Sequence, residues 1–477
     1  VKVAEGADFY MQPAWHPTGE RLAWVEWNHP NMPWNGTVLR TAGVTVDAKG
    51  IHVGEVETWA GGDEVAIQQP VFSPDGSMLA YTSDASGYAE IYARELSSGQ
   101  VRRLSSTECD HTSPAWVQGV RTIAWAPDGA SVYALRNEAG VIRLVRYPLA
   151  GQPVLVPTPE VYEFFSQLTV HSDGSIAAVV SGSRQPGRLV KRDPSGSWSV
   201  IKRATPERLP PEHYAPMRPV SWFADDGSEV FGSYYPPTHP EVRGEGAPPA
   251  LIMIHGGPTS QRTAAFESRN QFFATRGFAV LDVNYRGSTG YGRAYMNALF
   301  GKWGILDVED AVGGAKFLVD EGLAEAGKIS IMGGSAGGYT VLHSLAEHPG
   351  VFAAGLSLYG ISNLFSLTEG THKFESRYND SLLGVLPEDA AIFRERSPIF
   401  KAERMEDPVA VFQGAEDKVV PKEQADQIVA SLKGRGVPHV YHVYEGEGHG
   451  WRRAETIEHF YEAALAFLRE HVLDPQK

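Results

Sequence analysis

The chain has 477 residues, more than one hydrophobic core usually serves, so two domains are the first expectation. Its 42% hydrophobic and 21% charged residues describe an ordinary globular protein, and 57 acidic against 42 basic side chains leave a formal charge of −15, which argues against nucleic acid or an anionic membrane as partner. No apolar run approaches the ~18 residues of a membrane span, and the single cysteine, Cys109, can form no intrachain disulfide, which fits a reducing, cytoplasmic setting.

Residues 1–205 return four times to one phrase. It reads Gln12-Pro-Ala-Trp-His-Pro-Thr-Gly19, then Gln69-Pro-Val-Phe-Ser-Pro-Asp-Gly76, with weaker copies ending at Gly129 and Gly174. The copies lie roughly 45 to 57 residues apart, about the length of a propeller blade. Each sets an apolar strand, a Pro-Asp-Gly type turn and a second alternating strand, and a further strand pair follows, as in Ala89–Leu96 and Gln100–Leu104. Four antiparallel strands per repeat predict a partial β-propeller with about four blades visible; a β-sandwich would not place one turn at four such regular sites. The chain opens abruptly, with no signal-like segment. Val1-Lys-Val-Ala4 resembles the passage after Arg103, so it is expected to be the closing strand of a blade whose other strands are absent.

Thr205-Pro-Glu-Arg-Leu-Pro-Pro211 reads as a semi-rigid linker, and residues 206–477 as a second domain. Pro219–Phe223 and Glu229–Tyr235 predict an antiparallel pair around Asp225-Asp-Gly227. Short continuous apolar runs follow at Ala250–Ile254, Ala279–Val283, Ile329–Met332, Gly355–Leu358 and Val409–Phe412, as expected of strands buried on both faces. Helical patterns alternate with them: one around Val308–Val319, one started by Pro421 and stopped by Gly434, and one through Ile457–Leu468. This alternation predicts a mostly parallel sheet covered on both faces, an α/β-hydrolase domain.

Reactive groups in such a sheet sit on loops after the strands. Gly333-Gly-Ser335-Ala-Gly337 is a G-x-S-x-G sequence between a strand and a helix, where a nucleophile must stand on a sharp turn among residues without bulky side chains. Gln413–Pro421 offers Asp417, and Glu445-Gly-Glu-Gly-His449 offers a histidine between glycines. The order Ser, Asp, His suits a catalytic triad: His449 takes the Ser335 proton and Asp417 fixes the imidazole tautomer. The backbone N–H groups of Gly257, in His255-Gly-Gly-Pro258, and of Ala336 are the expected oxyanion donors. Glu416 is the alternative acid, His442 reads as a packed or exposed strand residue, and His255 as a brace for its loop. With no H-E-x-x-H, no clustered cysteines and no P-loop, neither cofactor nor metal is expected.

With those residues in place, the chain resembles the prolyl oligopeptidase family of serine peptidases over essentially its whole length. The likeness is carried by His255–Pro258, Asn284-Tyr-Arg-Gly-Ser-Thr-Gly-Tyr-Gly292, Gly333–Tyr339, Gly414–Pro421 and Glu445–Gly450, and Trp27–Trp34 is similar to the acylaminoacyl-peptidase-like and bacterial oligopeptidase branch. The resemblance implies hydrolysis of short peptides through an acyl-enzyme on Ser335, a propeller of seven or eight blades that screens out folded proteins, and a hydrophobic specificity pocket for which Ile361, Phe365 and Val420 are the candidates, each equally readable as core. The four visible repeats fall short of that propeller, which points to a fragment. As partners the resemblance leaves open the missing propeller segment as a separate chain, and a homo-oligomer. Acylaminoacyl-peptidase, dipeptidyl peptidase and carboxypeptidase modes all stay open. A dipeptidyl peptidase of this family would carry a paired-glutamate segment, and no Glu-Glu pair occurs here. An esterase and a non-catalytic propeller scaffold are the readings outside the peptidases.

Overall fold

The computed structural model describes residues 2–48 and 50–474. Val1, where the expected opening strand starts, Lys49, and the last three residues of the second expected domain lie outside the described residues. The chain divides into two compact units. The first comprises Val1–Leu209 with Thr263–Phe266 and Thr289–Tyr295, and the second Pro210–Arg262, Glu267–Ser288 and Met296–Lys477.

The first unit contains four antiparallel sheets of four strands each, met in chain order. They run from Phe9–Trp15 to Gly50–Gly62, from Ile67–Phe72 to Val101–Arg103, from Ile123–Trp125 to Val154–Leu155 and from Phe164–Val170 to Trp198–Arg203. The repeated turn joins the first two strands of every sheet. Each time a glycine N–H donates to the carbonyl three residues back: Gly19 to His16 at 2.8 Å, Gly76 to Ser73 at 2.9 Å, Gly129 to Ala126 at 3.0 Å and Gly174 to His171 at 2.9 Å. All four glycines have φ between 66° and 84°, a region that costs a side chain-bearing residue free energy, so the turn type demands glycine there. Apolar faces of successive sheets share clusters: Met78, Ile91, Ile123, Trp125 and Tyr147 join the second and third sheets, and Leu135, Leu144, Phe165, Ile176 and Val190 the third and fourth.

A second repeated feature is a bulge in the first strand of three sheets. The register slips between Met11 and Ala14, Gln68 and Val71, and Ser166 and Thr169. At each slip a glutamine, Gln12, Gln69 or Gln167, takes a positive φ of 53° to 57°. A bulge turns a strand and frees backbone groups from the ladder, and here side chains meet some of them. Gln12 Oε1 accepts from Gln69 N at 2.6 Å, and Gln69 Oε1 accepts from Thr122 N at 2.5 Å. The opening differs from expectation, since Lys2–Ala4 form no strand. Val3 and Ala4 instead pack on Leu22, Trp24, Ala42 and Val44.

The second unit is built on one eight-stranded sheet. We number its strands β1 (Arg218–Phe223), β2 (Glu229–Tyr235), β3 (Ala250–Ile254), β4 (Ala279–Asn284), β5 (Ile329–Gly334), β6 (Ala354–Leu358), β7 (Val409–Gly414) and β8 (His439–Tyr444). Their spatial order is β1-β2-β4-β3-β5-β6-β7-β8. The β1–β2 and β2–β4 pairs are antiparallel and all the others parallel. Every residue of β3, β4 and β7 is buried, which explains why their sequences are mainly apolar, with Asp282, Asn284 and Gln413 as the buried polar exceptions. Helices Leu306–Asp320, Ala336–Glu347, Lys422–Arg435 and Ala454–Leu468 follow strands in the expected alternation. The third of these passes through Gly434, the expected stop. It ends at Gly436, whose φ of 71° is left-handed and whose N–H donates to the Leu432 and Lys433 carbonyls.

Register brings the carboxyl ends of the central strands level. Ile254 of β3 lies beside Gly333 of β5, Gly334 beside Leu358 of β6, and Gly414 of β7 beside Tyr444 of β8. Four loops therefore leave the same rim: His255–Pro258, Ser335, Tyr359 and the stretch after Gly414, with the loop after Tyr444 next to it.

Candidate active site

Ser335 caps the helix that follows β5, at φ 58° and ψ −124°. A side chain-bearing residue is rarely held in that region, and it persists only where the surroundings over-determine it. Here Ser335 N–H donates to the Leu358 carbonyl at 3.0 Å, and the glycines around it let neighbouring backbone close in. A Cβ on Gly337 would stand 2.3 Å from the Ile254 oxygen and 2.9 Å from that of His255. Gly337→Ala is therefore expected to cost about 3 kcal/mol, read from the midpoint of urea unfolding.

Asp417 and His449 come together directly. His449 Nδ1 lies 2.7 Å from Asp417 Oδ2, whose side chain is fully buried. The other carboxylate oxygen, Oδ1, accepts from Val419 N at 2.8 Å and Val420 N at 2.9 Å, so the turn aims Oδ2 at the imidazole. This contact fixes the proton on Nδ1 and leaves Nε2 as the acceptor a serine hydroxyl needs. Glu416, the alternative acid, is exposed, and its backbone N–H donates to the Glu447 carbonyl at 2.9 Å. His442 lies half-buried on β8, stacked on Phe412 at 5.3 Å.

Two residues absent from the sequence reading hold these loops. Glu447 is buried, and its carboxylate accepts from the N–H groups of Arg452 at 3.0 Å and Arg453 at 2.9 Å, closing the loop that carries His449. Burial alone would raise its pKa, but the Arg453 and Arg452 N–H groups outweigh it and the net direction is down. Tyr359, at φ 39° after β6, packs its ring 4.7 Å from that of His449, and a Cβ on Gly334 would meet its ring and hydroxyl at 2.9 Å. One aromatic ring thus touches both the histidine and the residue before Ser335.

The expected oxyanion loop lies against the elbow. A Cβ on Gly256 would be 3.3 Å from Ser335 Cβ and 3.9 Å from Ala336 N, and Gly257 follows at φ 126°. His255 braces this loop from beneath. Its Nε2 meets Ser288 Oγ and its Nδ1 the Gly256 carbonyl, each at 2.8 Å, and it stacks on Tyr285 at 4.3 Å. Burial pulls its pKa down to about 3, so it stays a neutral strut. The Asn284–Ser288 motif supplies most of the support. Asn284 Oδ1 accepts from Arg262 N at 2.7 Å, the Tyr285 hydroxyl donates to the Pro258 carbonyl at 2.9 Å, and Arg286 forms a buried ion pair with Asp310 at 2.7 Å.

A pocket opens beside Ser335, and Gly257, Ile361 and Val420 line it. Phe365, the third candidate for substrate contact, does not. It sits on the first turn of helix Leu364–Gly370 and packs against Phe393 at 5.5 Å and Phe400 at 6.2 Å, an aromatic cluster behind the wall. Lining residues that the sequence reading missed come from 367–379, where Leu367, Thr371, Glu375, Tyr378 and Asn379 face the pocket. Among the described residues no group of histidine, cysteine and carboxylate side chains could hold a metal ion, and no helix is long and apolar enough to cross a membrane.

The sequence profile of the prolyl oligopeptidase family matches residues 264–474. Among solved structures, a puromycin-hydrolyzing peptidase of Mycobacterium tuberculosis is 36% identical with a TM-score of 0.92, over 99% of this chain and 71% of that one. The chain belongs to the prolyl oligopeptidase family. Two curated relatives are also similar to it. Dipeptidyl aminopeptidase BIII of Pseudoxanthomonas mexicana is 31% identical over 58% of this chain and 41% of its own length. The acylamino-acid-releasing enzyme of Arabidopsis thaliana is 26% identical over 82% of this chain and 48% of its own length. The chain spans less than half the length of these two curated relatives.

Proposed function

We propose that this chain is a serine peptidase of short peptides, working through an acyl-enzyme on Ser335. The observation that carries the reading is the 2.7 Å contact of His449 Nδ1 with buried Asp417 Oδ2, on loops that leave the same sheet rim as the strained Ser335. In this reading His449 Nε2 takes the Ser335 proton as Oγ bonds to the peptide carbonyl carbon. The histidine then returns that proton to the leaving amine as the C–N bond breaks. Water repeats the sequence on the ester, releasing the acid and restoring Ser335. The N–H groups of Gly257 and Ala336 are the proposed donors to the oxyanion, each contributing about 3 kcal/mol in the transition state. Ile361 and Val420 are proposed to touch the residue on the acyl side of the cut.

The names of its relatives support cleavage near the amino end of a peptide, with the acylaminoacyl mode as the primary reading and the dipeptidyl mode as its rival. We further propose that the four sheets are blades of a propeller and that the protein works in the cytoplasm, which suits a chain with the single thiol Cys109.

The test is mass spectrometry of products from short peptides with free, acetylated and carboxyl-blocked ends, before and after active-site phosphonylation. Loss of an acetylated residue or of a dipeptide from the amino end, abolished by the phosphonate, is the expected result. Hydrolysis of a nitrophenyl ester with no peptide cut would overturn it.

A further inference from the structure

The pocket beside Ser335 has a mixed lining, with apolar side chains from Trp303, Ile361, Leu367 and Val420 and neutral polar ones from Thr371, Tyr378 and Asn379. Among its described lining residues a single one is charged, Glu375, on the short turn Lys373–Glu375. Its side chain keeps only 22% of its exposure. Oε2 accepts from Thr371 Oγ1 at 3.2 Å and lies 3.9 Å from Nε2 of the exposed His372. Tyr378, which also lines the pocket, feels the charge of this carboxylate. Its phenol pKa is raised first by burial, and the negative charge of Glu375 adds to the rise.

As the one charged group among these lining side chains, the carboxylate sets the sign of charge that the pocket accepts. It attracts a cation, and it repels anions. We propose that Glu375 makes this pocket selective for a cationic group, an ammonium or guanidinium, on the acyl side of the scissile bond. The inference rests on the peptidase reading of Ser335. Two parts of a substrate could bring that cation: the side chain of a lysine or arginine whose carbonyl Ser335 attacks, or the free α-amino group of the same residue. The positive charge is common to both.

The test uses anilides of acetyl-arginine, acetyl-citrulline, acetyl-leucine and free leucine with the full chain and with Glu375→Gln. Citrulline keeps the shape of arginine and lacks its charge. The wild-type protein is expected to favour acetyl-arginine over acetyl-citrulline by about tenfold or more in kcat/KM, the scale of a charge-assisted hydrogen bond, and Glu375→Gln to bring that ratio near one. If the α-amine is the cation, the ratio that collapses is free leucine over acetyl-leucine. The proposal is overturned if both ratios are the same in wild type and variant while acetyl-leucine is turned over. Loss of turnover on every anilide, together with no labelling of wild-type Ser335 by a fluorophosphonate, would instead sink the peptidase reading and this inference with it. Labelling of Ser335 in the variant shows that its site is folded.

Discussion

Ser335→Ala is expected to lower kcat/KM for a short peptide by about 10⁴- to 10⁶-fold and to leave the melting temperature within about 2 °C of wild type. The two halves of this result come from different parts of the same residue. The hydroxyl is the only atom removed, and no neighbouring oxygen stands on the elbow to replace it as a nucleophile. The backbone is unchanged, because alanine meets the same unfavourable φ of 58° as serine, and the Ser335 N–H still donates to Leu358. Ser335→Gly separates the effects further. It is equally inactive, but it relieves the strained conformation and should melt about 1 to 3 °C higher. Turnover by Ser335→Ala equal to wild type would remove the serine from the mechanism, and matched calorimetry of the three proteins checks the structural half.

Asp417→Asn is expected to lower kcat by about 10⁴-fold with little change in fold. The asparagine oxygen can still accept from Val419 N and Val420 N, which leaves its NH₂ facing His449 Nδ1. Two donors cannot share that contact, so the imidazole proton moves to Nε2. A histidine protonated there points a hydrogen at Ser335 and cannot take its proton. Glu416→Gln, one residue earlier on an exposed side chain, should keep activity within about twofold of wild type, since surface changes away from such contacts are nearly neutral. A comparable loss in both variants would mean that the turn, rather than the Asp417 carboxylate, is what matters. Steady-state kinetics with the rate of phosphonate labelling of Ser335 distinguishes them.

The parts of this molecule that its sequence reveals are those where local chemistry leaves little choice. Glycine at positions 19, 76, 129 and 174 is demanded by one turn, and the strand pairs around each turn follow from it. The central strands of the sheet are apolar because both their faces are buried, and Ser335, Asp417 and His449 stand where loops leave them. What the sequence hides is set by distant packing. Tyr359 is one aromatic residue after a strand until its ring is found against His449. Glu447 looks like part of an acidic, glycine-rich loop, and only the folded chain aims Arg452 and Arg453 N–H at it. The stretch 364–404 folds as short helices without a sustained apolar period, so neither the displacement of Phe365 into an aromatic cluster nor the arrival of Glu375 at the pocket is visible beforehand. Gly434 and Gly436 are equally plausible helix stops by composition, and the left-handed turn falls at the second.

The glutamines at the bulges of the first unit carry a consequence for how such a chain can change over generations. Gln12 reaches the backbone of Gln69 in the next sheet, and Gln69 reaches that of Thr122 in the one after. The third copy has Thr122 at this place, which receives the link from Gln69 and has no glutamine to pass it on. The second repeat alone is shown carrying both halves of the joint, the N–H that receives and the side chain that reaches forward, like a wagon with a coupling at each end. A duplication of that repeat therefore needs no new residue at the seam, whereas a duplicate of the third would bring only the receiving half.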